Sequence, residues 1–175
     1  MRTLPGAIAT ALAIAALATE ARPASAAPPV RRCAPITWSG VAALFDRWNA
    51  SLAGHDASRV AANYAPDALL LPAYASTPRA GREAIRDYYA ALLPLAPHAR
   101  VVQRTIKVRC NVALDVGVMS MHLTDSGGVE STVATQYSFV YEFRDGRWVV
   151  AHDHASVIQR EDPVPAAAAA AAPAQ

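Results

Sequence analysis

The chain has 175 residues, with 16 basic and 14 acidic side chains and a formal net charge of +2. Its basic residues, all arginines apart from Lys107, are scattered along the chain and form no stripe. This composition excludes a nucleic-acid partner, because binding to a phosphate backbone needs clustered cations.

The first segment of the chain has the three parts of a secretory signal peptide. Met1 and Arg2 give a basic start, residues 4–18 form an apolar run, and Ala-Ser-Ala at 24–26 offers small residues to a signal peptidase. We therefore predict a signal peptide over 1–26 and a periplasmic or secreted mature protein. The apolar run is shorter than the ~20 residues of a spanning helix, so no stable membrane span is expected after cleavage.

The rest of the chain divides into one domain and a tail. Residues 163–175 are almost only Ala and Pro, which is typical of a disordered tail. Residues 27–162 contain no internal repeat and no linker, and their number is usual for one domain. We predict a single domain over 27–162.

Two cysteines, Cys33 and Cys110, remain in the mature chain. Export places them in an oxidising compartment, where an even number of cysteines favours a disulfide. The bridge would tie the N-terminal segment to a strand by closing a long loop. The chain-entropy estimate for such a loop is about 4 kcal/mol.

Helical spacing of apolar residues predicts three helices early in the domain. Ser39 is a candidate N-cap of the first helix, and Asp56 is one for a short second helix that carries Tyr64. After an apolar strand at 69–74, residues 81–93 read as the third helix. The apolar positions of the first helix are Val41, Leu44, Phe45, Trp48 and Leu52.

Four strands are predicted in the remainder of the domain. They are residues 101–109, 112–124, 129–143 and 148–158, and the last two connections are turns that contain glycine. Helices first and hairpin-connected strands afterwards indicate the α+β class. We expect three N-terminal helices packed on one face of a mostly antiparallel sheet.

Several segments carry a resemblance to a known family. They are Phe-Asp-Arg-Trp-Asn at 45–49, the segments 64–72 and 81–89, Tyr-Ser-Phe-Val-Tyr-Glu at 137–142, and 146–156 with its tryptophan-to-histidine strand. Together they resemble the nuclear transport factor 2-like (SnoaL-like) superfamily, and within it a bacterial group similar to the calcium/calmodulin-dependent protein kinase II association domain. The resemblance implies a cone-shaped fold with a curved sheet, a pocket under the helices and a homo-oligomer.

The chain departs from this group at three positions. Gln136 stands where the relatives usually have Arg, Asp153 interrupts two histidines, and Ala155 replaces a Ser. Roles of the missing Arg and Ser therefore do not transfer to this chain. No kinase segment accompanies the association module in the sequence given.

The last strand has two apolar faces, because side chains alternate along a strand. His152 and His154 share one face, and Asp153 lies on the other. Strict alternation places Trp148, Val150, Ser156 and Ile158 with the histidines, and Val149, Ala151, Ala155 and Val157 with the acid. One face is expected to line the pocket and the other to pack against a partner subunit, but alternation does not decide which.

Three interpretations of this strand stay open. If Asp153 faces the pocket, burial should raise its pKa and suit it to acid–base catalysis on a small apolar molecule. If the histidines face the pocket, His152 and His154 are candidate metal ligands, with His122 as a third. In the third, purely structural interpretation, the histidines are hydrogen-bonded packing residues at a subunit interface. We predict no metal or other cofactor.

Aromatic and histidine side chains supply the other candidates for the pocket. A cone lined with tyrosine hydroxyls suits a small organic ligand, although most of these rings also fit a plain core. The candidate ligand-binding residues are Trp48, Tyr64, Tyr88, His122, Tyr137, Phe139, His152 and His154.

Two functions follow from these observations. The first is an exported, homo-oligomeric small-ligand-binding or association-type domain that needs no catalysis. The alternative is a cofactor-free isomerase, dehydratase or cyclase that acts on a small hydrophobic substrate, with Asp153 as acid or base. The sequence has no G-x-S-x-G elbow, glycine-rich phosphate loop or H-E-x-x-H motif.

Overall fold

A computed structural model of the protein describes residues 33–159. The helices are α1 (Trp38–Leu52), α2 (Ala57–Ala61) and α3 (Arg82–Leu92), and a 3-10 turn follows at Leu93–Leu95. The strands are β1 (Tyr64–Leu71), β2 (Arg79–Ala80), β3 (His98–Arg109), β4 (Val112–Thr124), β5 (Glu130–Arg144) and β6 (Arg147–Val157). The predicted signal peptide (1–26) and tail (163–175) lie outside the described residues. Across residues 33–159, none of the helices is long and apolar enough to span a bilayer.

The strands form one six-stranded mixed sheet in the order β2-β1-β6-β5-β4-β3. Strands β3 to β6 pair as consecutive antiparallel hairpins, whereas β1 runs parallel to β6. The helices cover one face of the sheet, called the inner face below, and the opposite face is called the outer face. This arrangement confirms the predicted α+β class, with N-terminal helices on a mostly antiparallel sheet.

The first two helices begin at side-chain caps. The Thr37 hydroxyl accepts a hydrogen bond from the Gly40 backbone N–H at 3.0 Å, so Thr37, and not the predicted Ser39, caps α1. Asp56 caps α2 as predicted, by accepting from the Ser58 N–H at 2.9 Å. Such a cap satisfies backbone donors that have no partner within the helix, and contributes about 1 kcal/mol.

Tyr64 starts strand β1 and is not part of α2, which corrects the predicted helix boundary. Asn63 marks the change of direction, because its buried side-chain amide donates to the Val60 carbonyl at 3.1 Å. A short side chain that bonds the backbone in this way ends a helix. The boundary matters because it carries the Tyr64 ring onto the sheet.

A β-bulge in β6 corrects the predicted alternation of the last strand. Tyr141 pairs with Val150 while Val140 pairs with His152, so Ala151 is an extra residue without a cross-strand partner. Because of this added residue, the side chains before it point to the opposite face from the one that strict alternation predicts relative to the side chains after it. Trp148 and Val150 therefore share a face with Asp153, and not with the histidines as strict alternation predicted.

The core lies between the helices and the inner face and is rich in aromatic rings. Phe45 and Trp48 of α1 pack against Phe139 of β5, with ring centroids 5.7 and 5.1 Å apart in edge-to-face arrangements. Such pairs contribute about 1 kcal/mol each beyond the area that they bury. The plain-core explanation therefore accounts for several of the aromatic residues.

Strand β4 needs a glycine where it passes β3. A Cβ on Gly117 would lie 1.8 Å from the Gln103 carbonyl oxygen, which belongs to backbone and has no freedom to move aside. The close approach coincides with a change of register in β3 between Val101 and Gln103. Only a residue without a side chain fits the position.

The predicted disulfide between Cys33 and Cys110 is confirmed, with the two Cα atoms 4.7 Å apart. It ties the N-terminal segment to the turn between β3 and β4. A second link lies beside it, because the Ala34 N–H donates to the Asn111 side-chain oxygen at 2.7 Å. The bridge spans 77 residues of sequence, a separation for which the chain-entropy estimate is about 4 kcal/mol.

Candidate functional site

A narrow cavity lies between α1, α3 and the inner face. It holds about 30 Å³ of water-accessible space, which is enough for about one or two water molecules. Asp153 is the one acidic side chain of its wall, and no Lys, Arg or His lines it. The other wall residues are Trp48, Leu52, Leu70, Pro72, Ala73, Tyr74, Tyr88, Tyr89, Leu92, Met119, Met121, Thr135 and Ala155.

Asp153 is held on the inner face of β6, opposite Phe139 of β5. Its side chain is buried, with 3% of the residue exposed, and the Tyr64 hydroxyl donates to its Oδ2 at 2.6 Å. Burial raises the pKa of Asp153 to about 7, although the hydrogen bond from Tyr64 acts in the opposite direction. The carboxyl is therefore close to half-protonated at neutral pH.

Three aromatic side chains form a directional hydrogen-bond chain that ends on Asp153. Because Tyr64 donates its proton to the carboxylate, its oxygen accepts from the Tyr89 hydroxyl, 2.7 Å away. The Tyr89 oxygen in turn accepts from the Trp48 indole N–H at 3.2 Å. Burial, and then the charge of Asp153, raise the pKa of both tyrosines. Both hydroxyls stay protonated and keep donating at neutral pH.

A second buried acid, Asp115 of β4, lies on the same face. It is fully buried, and its Oδ1 accepts from Arg104 at 3.1 Å and from the Tyr137 hydroxyl at 2.9 Å. Burial raises the pKa of Asp115, and the positive charge of Arg104 opposes that rise. The Arg104 guanidinium also lies 4.9 Å from the centroid of the Phe45 ring. This acid is part of an ion pair, whereas Asp153 has no cationic partner.

Comparison with known proteins identifies the family. Residues 38–159 match the profile of the calcium/calmodulin dependent protein kinase II association domain. The chain belongs to this family. No curated protein matches the chain.

Solved structures agree with this assignment of the association domain. A candidate calcium/calmodulin dependent protein kinase II association domain from Xanthomonas campestris is 43% identical, covers 67% of this chain and 85% of its own, and superposes with a TM-score of 0.66. A candidate dehydratase of the NTF2-like family from Streptomyces avermitilis is 12% identical, with 69% and 95% covered and a TM-score of 0.61. A ketosteroid isomerase-like protein from Erwinia carotovora atroseptica is 17% identical, with 69% and 95% covered and a TM-score of 0.57. The last two show the fold alone, which is nuclear transport factor 2-like.

The site residues predicted from the sequence of this chain divide into three groups by their position in the structure. Trp48 and Tyr88 line the Asp153 cavity, and Tyr64 contacts Asp153 directly. Tyr137 and Phe139 lie on the inner face beyond the cavity wall, where Tyr137 binds Asp115 and Phe139 packs in the core.

The predicted histidines form the third group, which lies on the outer face. His152 and His154 of β6 flank Asp153 and point away from it, and His122 of β4 is exposed and 2.9 Å from the Thr132 hydroxyl. The alternative in which the histidines face the pocket is wrong, because Asp153 occupies the inner face. Within residues 33–159, no cluster of three or more His, Cys, Asp or Glu has the geometry to hold a metal ion. Burial, and then the neighbouring His154, lower the pKa of His152.

Tyr89 and Asp115 were not among the predicted site residues, although Tyr88 or Tyr89 was expected over the sheet. Tyr89 lies four residues after buried Ile85 and three before buried Leu92, so helical spacing alone selects it over Tyr88 as the residue that faces the sheet. Asp115 follows buried Ala113 by two residues, which is the spacing of an inward-facing position in a strand. In both cases the signal was the periodicity of burial, applied to a polar residue.

Proposed function

We propose that the chain is an exported, homo-oligomeric association-type domain whose cone binds a small, mainly apolar ligand. The observation that carries this proposal is the Asp153 carboxyl, buried in an apolar and aromatic wall without a cationic partner. Folding gains nothing from such a group, because burying an unpaired carboxyl costs stability. A residue that is unfavourable for folding and lines a cavity is a functional-site candidate.

A larger space outside the cavity supports ligand access. A groove of about 550 Å³ lies along α3, within the size range of small-molecule sites. Tyr74, Tyr88 and Leu92 line both this groove and the Asp153 cavity. Rotation of these three side chains would join the two spaces and open a route to Asp153 for a ligand larger than water.

Filling the cavity tests the ligand-binding proposal. Benzyl alcohol is a suitable neutral probe, because it has an apolar ring and one hydroxyl. We expect saturable binding to the wild-type domain by calorimetry and its loss in Ala155→Leu, since Ala155 lines the cavity. Ala134→Leu, on the exposed outer face of β5, is the matched control. Equal binding to all three proteins would contradict a site in the cone.

The outer face supports the homo-oligomer. It presents apolar side chains on β1 and, beyond the histidine-bearing strand β6, on β5 and β4, and these are Leu69 and Leu71 of β1, Val140 of β5, and Leu114 and Val116 of β4. Leu69 is 38% exposed, and the others are partly exposed. We propose a second copy of this chain as the occupant, because the family is named for association.

Introducing a charge on this face tests the assembly. Native mass spectrometry of the mature protein should give a discrete oligomer, and Val140→Asp should shift it to monomer. Val129→Asp is the control, because Val129 is 66% exposed in the turn between β4 and β5. A wild-type protein that is monomeric at micromolar concentration would contradict the homo-oligomer.

Export is supported by the Cys33–Cys110 disulfide, because such bridges persist in oxidising compartments. The test is expression of the full chain with cell fractionation and N-terminal sequencing. We expect a mature protein that starts at Ala27 and has no free thiol. A protein that keeps residues 1–26 and stays in the cytoplasm would contradict export.

A second candidate function is acid–base catalysis, which is favoured by the pKa of about 7 at Asp153 and by its Tyr64 hydrogen bond. A group with a pKa near the working pH both accepts and returns a proton effectively. In an isomerisation, the Asp153 carboxylate would remove a proton beside a carbonyl and return it to the far end of the conjugated system. The reaction needs no cofactor.

Conversion of 3-cyclohexen-1-one to its conjugated isomer tests this second function. We expect kcat/KM to rise with pH through about 7, and Asp153→Asn to abolish the reaction, because the carboxylate is the base. Asp145→Asn, in the exposed turn between β5 and β6, is the control. Wild-type turnover no faster than that of Asp153→Asn would leave the domain as a binding module.

A further inference from the structure

We infer that the Asp153 cavity selects an organic cation, namely an amine or ammonium group carried on a small apolar body. The inference rests on the proposed ligand-binding function and names the chemical class of its ligand. Asp153 would accept the N–H donors of the amine, and the aromatic wall would surround its positive charge.

The charge balance of the wall favours a cation over an anion. Asp153 is the only titratable acid or base in the wall apart from tyrosines. Arg104, a cationic side chain on the inner face, is engaged by Asp115 and Tyr137. An anionic ligand would meet one carboxylate and no compensating charge. A cation supplies the partner that the protein itself does not provide for Asp153.

The aromatic wall is of the kind that recognises ammonium groups. Trp48, Tyr74, Tyr88 and Tyr89 are four of the cavity residues. Tyr88 and Tyr89 lie in edge-to-face contact, with ring centroids 5.2 Å apart. The electron-rich faces of such rings attract a cation, and by more when the cation is removed from water. The rings also provide the apolar contact that the body of the ligand needs.

Asp153 keeps capacity to accept from a ligand. The Tyr64 hydroxyl occupies one direction at Oδ2, and an ionised carboxylate has about four acceptor sites. The Trp48–Tyr89–Tyr64 chain stabilises the ionised form and holds the carboxylate in place. A charge-assisted N–H to carboxylate bond is about twice as strong as a neutral one, which favours an amine over an alcohol of the same shape.

The two spaces around Tyr74 and Tyr88 set the shape of the ligand. The 30 Å³ cavity has room for an amine head group alone, whereas the 550 Å³ groove has room for an apolar body. The groove also carries Arg79 and Asp87, one charge of each sign. Selection for the cation therefore comes from the inner cavity and not from the groove.

Three probes with the same ring separate charge from shape, namely benzylamine, benzyl alcohol and benzoate. Calorimetry at pH 8 is the measurement, because Asp153 is then ionised. We expect benzylamine to bind about tenfold more tightly than benzyl alcohol, and benzoate not to bind. Asp153→Asn should remove the preference for the amine and leave the affinity for the alcohol within about threefold.

A pH series on the wild-type protein repeats the test without a substitution. Asp153 is contacted by Tyr64 and Tyr89, which stay neutral between pH 5 and 8 because burial raises the pKa of each. Benzylamine affinity should therefore fall at least tenfold from pH 8 to pH 5 as Asp153 is protonated. The affinity for benzyl alcohol should stay the same.

The outcomes separate this inference from the proposed function. Equal affinities for amine and alcohol, or an amine preference that survives Asp153→Asn, would overturn the cation site while benzyl alcohol binding still supports a ligand-binding cone. Loss of the preference in Asp87→Asn but not in Asp153→Asn would assign the cation to the groove and also overturn the inference. If none of the three probes binds at millimolar concentration, the inference and the ligand-binding function fail together.

Discussion

The inner face carries two buried carboxyls that differ in their partners. Phe139 of β5 is the cross-strand neighbour of Asp115 on β4 and of Asp153 on β6. The two acids therefore lie in one row, on either side of the Phe139 ring. Both are buried, with 0% and 3% of the residue exposed. Asp115 bonds to the Arg104 guanidinium, whereas Asp153 bonds to the neutral Tyr64 hydroxyl.

The partner, and not burial, therefore separates an acid that is balanced within the protein from one that keeps an uncompensated charge. A carboxylate with a guanidinium beside it is balanced within the protein and is unavailable to a ligand. A carboxylate held by tyrosine hydroxyls stays in place but keeps an uncompensated charge.

The largest expected effect comes from removing the cation beside Asp115. Arg104→Met should lower the free energy of unfolding by about 3 kcal/mol at pH 7, because the buried carboxylate loses its countercharge. Urea unfolding measures the change. Arg100→Met, on the exposed side of the same strand, should cost less than about 0.5 kcal/mol. A cost for Arg104→Met as small as that of the control would remove the distinction between the two acids.

The next largest effect is the pH dependence of the free energy of unfolding that Asp153 introduces. The pKa of Asp153 in the folded protein, about 7, lies above that of an unfolded aspartate, so the folded state holds the proton more tightly. Stability from this group is present at low pH and is lost as pH rises towards 7. Between pH 5 and 8 the loss should be about 2 to 3 kcal/mol, and it should be missing in Asp153→Asn. Urea unfolding at four pH values compares the two proteins, and parallel curves would contradict the raised pKa.

Removing the hydroxyl that bonds Asp153 is expected to have a smaller effect. Tyr64→Phe should cost about 1.5 to 2 kcal/mol at pH 8 and less at pH 5, since a bond to an ionised carboxylate is the stronger one. Tyr88→Phe is the control, because its hydroxyl makes no hydrogen bond within residues 33–159. Equal costs at both pH values would contradict a change in the charge of Asp153 between pH 5 and 8.

The smallest effect belongs to the far end of the hydrogen-bond chain. Tyr89→Phe leaves the Trp48 N–H without its acceptor and should cost about 1 kcal/mol, with a weaker dependence on pH than Tyr64→Phe. Thermal unfolding measures it. A cost that changes with pH as strongly as that of Tyr64→Phe would show that Tyr89 bonds Asp153 more directly than the chain described above.

Much of the fold was predictable from the sequence because it depends on local patterns. Apolar spacing predicted α1 and α3, glycine-containing turns predicted the hairpins β4–β5 and β5–β6, and the even cysteine count with the expected export predicted the Cys33–Cys110 bridge. The β2 strand, Arg79–Ala80, was missed, because two residues carry no periodicity. The family resemblance supplied the cone, which no local pattern contains.

The site was less predictable because it depends on a backbone irregularity and on distant partners. The extra residue Ala151 exchanges the faces within β6, and alternation alone gave Trp148 and Val150 the wrong side. Nothing local to Asp153 indicates that Tyr64, 89 residues earlier in the chain, donates to it. No local pattern indicates that Arg104 pairs with Asp115 and leaves Asp153 without a cation.

A site-resolved titration of the Asp153 carboxyl tests the central claim most directly. Carbon-13 NMR of aspartate-labelled protein, with Asp153→Asn to assign the signal, follows the carboxyl between pH 3 and 9. We expect a midpoint of about 7 for Asp153, because burial in the apolar cone without a cation favours the protonated form. A midpoint near that of an exposed aspartate, about 4, would contradict the account, because Asp153 would then be solvated or paired like a surface acid.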